Sequence, residues 1–283
     1  MVPDITICMS YFRRADLLRR TLLSVQCQNT EKAIEVVIVN DDVTSSELLT
    51  VCRQFINRPP FMNIRVFSTN RTYRYRNQNW AMNCAIQRAS AKYLIIQNPE
   101  CFHVGNVIDG LWSQLVASQV DPFYCVKTLS LTPDDNIWLS QREPEWLQRL
   151  DVLTSEFAGR SEFVGRNNPR LLCFCLGSTA AAIGKIGGFD EDIKEIGYDD
   201  DLLAFHAQVN HFDCRILDLA DYYVLHQDHQ KDNQIDPGAV SAVQQSRSAY
   251  THIVSETQAG IRPPIANPGR IWGQISDSQE DMI

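Results

Sequence analysis

The first hundred residues alternate between two hydrophobic periods. Ile5-Thr6-Ile7-Cys8-Met9 is a short strand-like run, and Leu17, Leu18, Thr21, Leu22 and Val25 then recur at helical spacing. Glu35–Val39 reads as a buried β-branched strand, followed by a helical pattern through Leu48, Leu49, Cys52 and Phe55. Pro59-Pro60 breaks the chain before a third strand-like run over Asn63–Phe67. A helix is expected over Trp80–Ile86 and a fourth strand over Tyr93–Ile96. Strand and helix in alternation imply parallel strands joined by crossover helices, hence an α/β fold with a doubly wound, mostly parallel sheet. Past residue 120 the pattern loosens. Asp121–Val126 suggests another strand, and the polar stretch 130–170 reads as a loop-rich region with one short helix near Glu145–Val152. Leu171–Ile183 returns to strand-like character, Asp200–Val209 to helical, and Arg215–Leu217 and Tyr222–Leu225 read as closing strands. A helix over Ala239–Val254 precedes Pro263-Pro264 and a tail.

Composition narrows the class. The 283 residues are 44% hydrophobic and 21% charged, the mix of an ordinary globular chain of one large or two small domains. Lys and Arg number 26 against 34 Asp and Glu, a net charge of −8, so there is no general field for nucleic acid or anionic lipid. No apolar run approaches the ~18 residues of a membrane span. The N-terminal residues lack the basic start and apolar length of a signal peptide, so a cytoplasmic chain is expected. The nine cysteines are odd in number, sit mostly in apolar stretches and form no CxxC pair. They read as small buried hydrophobes in a reducing compartment, not as metal or redox motifs.

Open α/β sheets bind ligands beyond the carboxyl ends of their strands. Four expected strand ends carry polar groups: Ser10-Tyr11-Phe12-Arg13-Arg14, Asn40-Asp41-Asp42, Ser68-Thr69-Asn70 and Gln97-Asn98-Pro99-Glu100. Asp, Asn and Ser end strands and cap helices without any ligand. Four such ends side by side are a candidate crevice. No glycine-rich loop follows the first strand, so neither a dinucleotide fingerprint nor a P-loop is present. A nucleotide here would be held by side chains, with Asp41 accepting from ribose or base and Arg13 or Arg14 facing a diphosphate.

Ile5–Gln28, Val36–Asp41, Asn83–Ala89 and Tyr93–Glu100, then Gly187-Gly188-Phe189-Asp190-Glu191 and Gly197-Tyr198-Asp199-Asp200-Asp201-Leu202, follow the order found in family 2-like glycosyltransferases. The chain resembles that family over roughly residues 4–230. The resemblance implies a GT-A fold. Residues 1–120 would be the nucleotide-sugar-binding half, 121–235 the acceptor-binding and catalytic half of the same domain, and 236–283 a C-terminal helix and tail. It implies a hexosyl- or pentosyltransferase that moves a sugar from a nucleotide-diphospho-sugar, a UDP-sugar by expectation, to an acceptor hydroxyl with inversion. The implied donor contacts are Ser10, Tyr11, Arg13, Asp41, Asn70, Arg76 and Asn98. Asp200 is the implied general base and Asp199 the second choice. Glu100 and His226 would hold a divalent metal, Mn2+ or Mg2+.

Two departures from the family pattern stand out. An Asp-x-Asp triplet usually ends the fourth strand, and here it is Asn98-Pro99-Glu100. Glu100 keeps a hard oxygen ligand while Asn98 adds no charge, so metal affinity would be weaker or metal dispensable. Arg71–Gln78 replaces a shorter, glycine-containing turn and could grip a diphosphate or an anionic acceptor. Other readings stay open. The three aspartates suit a helix N-terminus on dipole grounds alone, and His226 or His229 could be merely polar strand ends. His103, His206, His211 and His252 read as structural. Trp138, Trp146, Arg160, Arg166 and Arg170 line either an acceptor lid or a solvated loop. The acceptor could be a glycan, a lipid-linked sugar or, given the basic aromatic stretch Arg71–Trp80, a nucleic acid base. Oligomeric state is not encoded. Two rivals are a nucleotidyltransferase, whose phosphate loop Ser10–Arg14 does not supply, and a non-catalytic nucleotide-sugar-binding protein, suggested by the altered triplet.

Overall fold

The computed structural model describes residues 2–42, 46–56, 62–69, 77–142, 149–229, 237–274 and 280–281. Eight strands form the larger sheet. In spatial order they are β10 (Asp213–Leu217), β6 (Pro122–Val126), β9 (Cys175–Thr179), β4 (Tyr93–Gln97), β1 (Ile5–Tyr11), β2 (Ile34–Asn40), β3 (Met62–Ser68) and β12 (Glu280–Asp281). β4, β1, β2 and β3 run parallel, as do β6 and β10, while β9 and β12 pair antiparallel with their neighbours. The central strands are apolar on both faces, as parallel strands covered by helices must be. Alternation still sorts their side chains. Ile5, Ile7, Met9 and Tyr11 join Ile34, Val36 and Ile38 against α1 (Ala15–Gln26), α2 (Glu47–Arg53) and α4 (Val107–Ala117). Cys8, Val37 and Val39 face α3 (Asn79–Arg88), α7 (Ala180–Lys185) and α8 (Asp199–Val209).

A smaller sheet, in the order β5 (Cys101–Gly105), β11 (Tyr222–His226), β7 (Thr128–Ser130) and β8 (Glu162–Val164), stands beside the first. Its outer side is covered by α5 (Pro133–Ser140) and α6 (Leu150–Glu156), whose Leu139, Leu153 and the adjoining Phe157 pack on Phe102, Val104, Tyr223 and Leu225. α9 (Pro237–Gln258) lies on α8 through Ile253 and Leu202. Only Asn98, Pro99 and Glu100 separate β4 of the large sheet from β5 of the small one, and this junction positions the site. No helix among the described residues is long and apolar enough to cross a membrane.

Several expectations are corrected. Of the second sheet, Tyr222–Leu225 is found as the expected strand within β11, while β5, β7 and β8, three to five residues long, were not expected from the hydrophobic pattern. The strand expected over Leu171–Ile183 is confined to β9, and Ala180 onward turns into α7, capped by Thr179 Oγ1 accepting from Ala182 N at 3.1 Å. Residues 145–148 of the expected short helix lie outside the described residues, and the described part continues into α6. The expected tail is instead docked. Asn267 Nδ2 donates to the carbonyls of Gly187 and Phe189 at 2.9 and 2.7 Å, Arg270 pairs with Asp192 at 2.8 Å, and Arg262 pairs with Asp190. Polar anchors of this kind have no periodicity to read.

A buried carboxylate ties the amino ends of the central strands together. Glu35 accepts from Thr6 Oγ1 at 2.6 Å, Ser90 N at 2.8 Å, Ser90 Oγ at 2.9 Å and Arg65 Nη1 at 3.1 Å. Burial pushes its pKa up, but these donors outweigh burial and hold it below the ordinary carboxylate range. A depressed folded pKa contributes stability above the unfolded pKa of about 4.3, and that contribution is lost as pH falls through the folded value. Glu35→Gln is therefore expected to destabilise by about 1–3 kcal/mol near neutrality. Urea denaturation should show the difference from wild type shrinking as the pH is lowered below the carboxylate range.

Candidate active site

β11 pairs antiparallel with β5 so that His226 stands opposite Cys101, which brings the end of β11 to the junction residue Glu100. Gln227 locks the two together. Its backbone N and its Nε2 both donate to the Glu100 carbonyl, at 3.1 and 3.2 Å, and Nε2 also reaches Leu17 O on α1 at 3.1 Å. Glu100 is almost fully buried, and three cationic or imidazole groups converge on its Oε1: Arg14 Nη1 at 2.7 Å, His229 Nε2 at 3.2 Å and His226 Nε2 at 3.4 Å. The other oxygen, Oε2, is buried with no hydrogen-bond partner among the described residues. Phe163 and Phe174 meet the His226 ring edge-on at 5.1 and 4.8 Å and fix its plane.

Burial alone would raise the Glu100 pKa. Arg14 and the two histidines overcome it and hold the carboxylate ionised, well below its usual range. Burial lowers the His226 pKa, so this imidazole is neutral at physiological pH. One ligand atom each from Glu100, His226 and His229 lie within 4.8 Å of one another. An ionised carboxylate with an unused oxygen, a neutral imidazole and a second histidine form a mixed oxygen and nitrogen donor set that fits Mn2+ or Mg2+.

The cluster forms one wall of a cavity of about 390 Å³. The start of α8 also lines it, through Gly197 and Asp199. Gly197 and Tyr198, at φ of 88° and 65°, make the left-handed turn into that helix. Three aspartates then occupy its first turn. Successive helical side chains point about 100° apart, and the three acids separate accordingly. Asp199 lines the cavity and accepts from Gln78 Nε2 at 2.8 Å. Asp200 turns to the backbone N–H and thiol of Cys173, and Asp201 pairs with Arg170 at 2.9 Å. Burial raises the Asp199 pKa against the Gln78 bond, and burial together with Asp199 raises that of Asp200 further.

Other residues singled out from the sequence fall in different places. Asn98 and Arg170 line the same cavity. Asp41 is buried just past β2 and accepts from Thr69 Oγ1 at 3.1 Å, so the second and third strand ends do meet. Ser10 and Tyr11, expected as donor contacts, end the first strand. Both lie inside β1 with 0% exposure, and Tyr11 belongs to the core beneath α1 and α2. Arg13 is 65% exposed and lies 3.6 Å from Asp42, while its neighbour Arg14 lines the cavity together with Arg170. Asn70, Arg76 and Trp146 lie outside the described residues. Arg160 pairs with Asp135 at 2.7 Å and Arg166 with Asp218 at 3.1 Å, both away from this cavity. His103 is structural, bonded to Gln97 Oε1 at 2.7 Å, with burial lowering its pKa to about 3. His229 is the residue that the sequence reading left unassigned. The signal was the spacing His226-x-x-His229 directly after an apolar strand.

Residues 6–181 match the family model for glycosyl transferase family 2, and the chain belongs to that family. No curated protein matches the sequence. Among solved structures, S. aureus TarS 1-349 in complex with UDP superposes with a TM-score of 0.57 at 15% identity, over 80% of this chain and 60% of that one. The mannosyltransferase PcManGT from Pyrobaculum calidifontis, in complex with GDP-Man and Mn2+, gives 0.56 at 16% identity, over 93% of this chain and 67% of that one. GalNAc-T7 with UDP, GalNAc and Mn2+ gives 0.60 at 11% identity, over 89% and 48%. The chain thus spans less than two thirds of the TarS and GalNAc-T7 chains. At these identities the likeness is one of fold, and the fold is GT-A.

Proposed function

We propose that the protein transfers a sugar from a UDP-sugar to an acceptor hydroxyl with inversion, Asp199 acting as general base. The observation that carries this is the lining of one cavity by both the Glu100–His226–His229 cluster and Asp199. The solved complexes of TarS and GalNAc-T7 with UDP favour a uridine donor. A base in an inverting displacement must be ionised and within reach of the attacking hydroxyl, and a raised pKa makes it a stronger proton acceptor. Asp199 meets this description better than Asp200, because it lines the cavity and Asp200 is not among the described lining residues.

Negative charge develops on the leaving diphosphate, on the side of the cavity away from Asp199. Arg14 lies at that wall and offers a guanidinium to it. Glu100, His226 and His229 would hold a divalent cation there, Mn2+ or Mg2+, whose charge offsets that of the diphosphate. Asp41 would accept from the ribose or base. The nine cysteines, none of them in a disulfide, favour a reducing, cytoplasmic setting.

Calorimetry with UDP and Mn2+, followed by a UDP-release assay over a panel of UDP-sugars, tests the reading. Wild type should bind UDP and release it slowly from one of the sugars. Asp41→Ala should weaken UDP binding by about 1–3 kcal/mol, the loss of a hydrogen bond to a buried carboxylate. A wild-type protein that binds no UDP and hydrolyses no UDP-sugar sinks the proposal, and an Asp41→Ala protein with unaltered UDP affinity removes that residue from the site.

A further inference from the structure

We propose that Gln78 is the positioning residue of the general base, its Nε2 holding Asp199 Oδ2 so that the carboxyl stays turned into the cavity. The inference rests on the reading of Asp199 as the base and adds the side chain through which α3 acts on it.

From Asn83 back to Asn77, side-chain amides tie the start of α3 to successive points of the segment 189–199 that leads into α8. Asn83 Nδ2 donates to Phe189 O at 2.8 Å, and its Oδ1 accepts from Phe189 N at 2.8 Å. One turn earlier, Asn79 Nδ2 donates to Asp190 O at 2.8 Å. Asn77 Nδ2 donates to Glu195 O at 2.7 Å, and its Oδ1 accepts from Asn79 N at 2.7 Å. The bond from Gln78 Nε2 to Asp199 Oδ2, at 2.8 Å, is the last rung. The residues before and after Gln78 are thus both fastened to the stretch of chain that delivers Asp199. Gln78 O also accepts from Met82 N at 2.8 Å, which fixes its backbone to α3. Gln78 is the N-cap residue of α3, yet its side chain makes no capping bond to that helix. The amide is directed to Asp199 instead, which separates its role from that of starting α3.

An ionised carboxylate accepts hydrogen bonds and has none to donate, so the amide meets it with its NH2. A donor fixed in this way favours the ionised carboxyl over the protonated one. Burial is the largest influence on the Asp199 pKa and raises it. Gln78 stands first among the groups that pull it back, ahead of the backbone N–H groups of Asp199 and Asp200. An arginine or lysine in this place would pair with the carboxylate and weaken it as a base. A neutral amide orients it and leaves it a proton acceptor.

Other titratable groups around Asp199 are Asp200 and Asp201 on its own helix, Cys173 and Arg170 bonded to them, and Arg14 with the Glu100 cluster around the cavity. All of these stay the same in variants at residue 78, so a change in the pH profile of such a variant reports on Gln78.

The test compares wild type, Gln78→Met and Gln78→Glu in the hydrolysis of the UDP-sugar that wild type turns over, read as UDP release across the acid and neutral pH range. Water takes the place of the acceptor hydroxyl and needs the same base. Met has nearly the length of Gln and no donor, while Glu keeps the shape and adds a like charge when ionised. In both variants the rising limb should move to higher pH. Below that limb the rate should fall about ten- to a hundredfold, the factor produced by losing a hydrogen bond to a charged group. At higher pH the rate of Gln78→Met should return to within a few-fold of wild type, with UDP affinity held. Gln78→Glu keeps the test open should Gln78→Met not fold. A limb at the wild-type pH in either variant that folds overturns the proposal, whether the rate is unchanged or uniformly lowered, because a bracing role for the side chain predicts that result. So does a limb moved to lower pH, or the unfolding of both variants. Wild-type turnover in Asp199→Asn, or no UDP-sugar hydrolysis by wild type, overturns the reading of the base beneath it. A slow Asp199→Asn together with unmoved limbs at residue 78 overturns the positioning role alone.

Discussion

Asp199→Asn should slow sugar transfer by about 100- to 10,000-fold, the usual cost of removing a general base, while leaving UDP affinity close to wild type. The substitution keeps the size of the side chain and can still meet Gln78, so it separates the chemical role from packing. If Asp199 merely started α8, Asn would serve nearly as well, since Asn and Asp are comparable helix caps, and turnover would stay near wild type. The pH profile provides a second readout. A base must be ionised to act, so wild-type rate should rise with pH through the raised pKa of Asp199, and that limb should vanish in Asp199→Asn. Asp200→Asn is the control. Its carboxyl faces Cys173, so its substitution is expected to alter stability more than turnover. A large rate loss in Asp200→Asn with little in Asp199→Asn would reverse the assignment of the two acids.

The second large effect is expected at Glu100. Glu100→Gln removes the charge but keeps the shape, and it leaves Arg14, His226 and His229 converging on a neutral amide. Mn2+ binding in the presence of UDP should be lost in calorimetry, and transfer should fall by about 100- to 1,000-fold, as for other preorganised groups that stabilise developing charge. His229→Ala should move both measurements in the same direction, which tests the ligand that the sequence left unassigned. Full wild-type activity in excess chelator would mean that the cluster acts without a cation, and Glu100 would then serve only to fix Arg14.

The parts of this protein legible in the sequence are those in which one period persists over several residues. β1, β2, β3 and β4 and the helices between them announce themselves because the strands are apolar on one face or both and each crossover helix on one. The polar strand ends pointed to the crevice. They did not reveal that Tyr11 belongs inside β1, and they left open the choice between Arg13 and Arg14, of which Arg14 lines the cavity. Arg13 adopts φ of 50°, and no residue type at that position advertises such a turn. The choice between Asp199 and Asp200 was likewise illegible, because identical residues in sequence diverge only once the helix rotates them apart. The Glu100 cluster depends on the antiparallel register of β5 and β11, which are separated by more than a hundred residues. Register of that kind is set by packing in three dimensions, and the short strands carry little pattern of their own.

The anchoring of Arg262, Asn267 and Arg270 on the turn Gly187–Asp192 bears on how the protein is made. A chain that leaves the ribosome from its N-terminus displays the acids of α8 long before the segment that braces the turn in front of them has been synthesised. Domains fold largely as they emerge, so the sheet and both walls of the cavity can form while the nascent protein is still tethered. The turn leading to Asp199 gains its last supports only with residues 262–273. A chain that stops after α9 lacks these supports, and the turn Gly187–Asp192 in it is expected to be held less firmly.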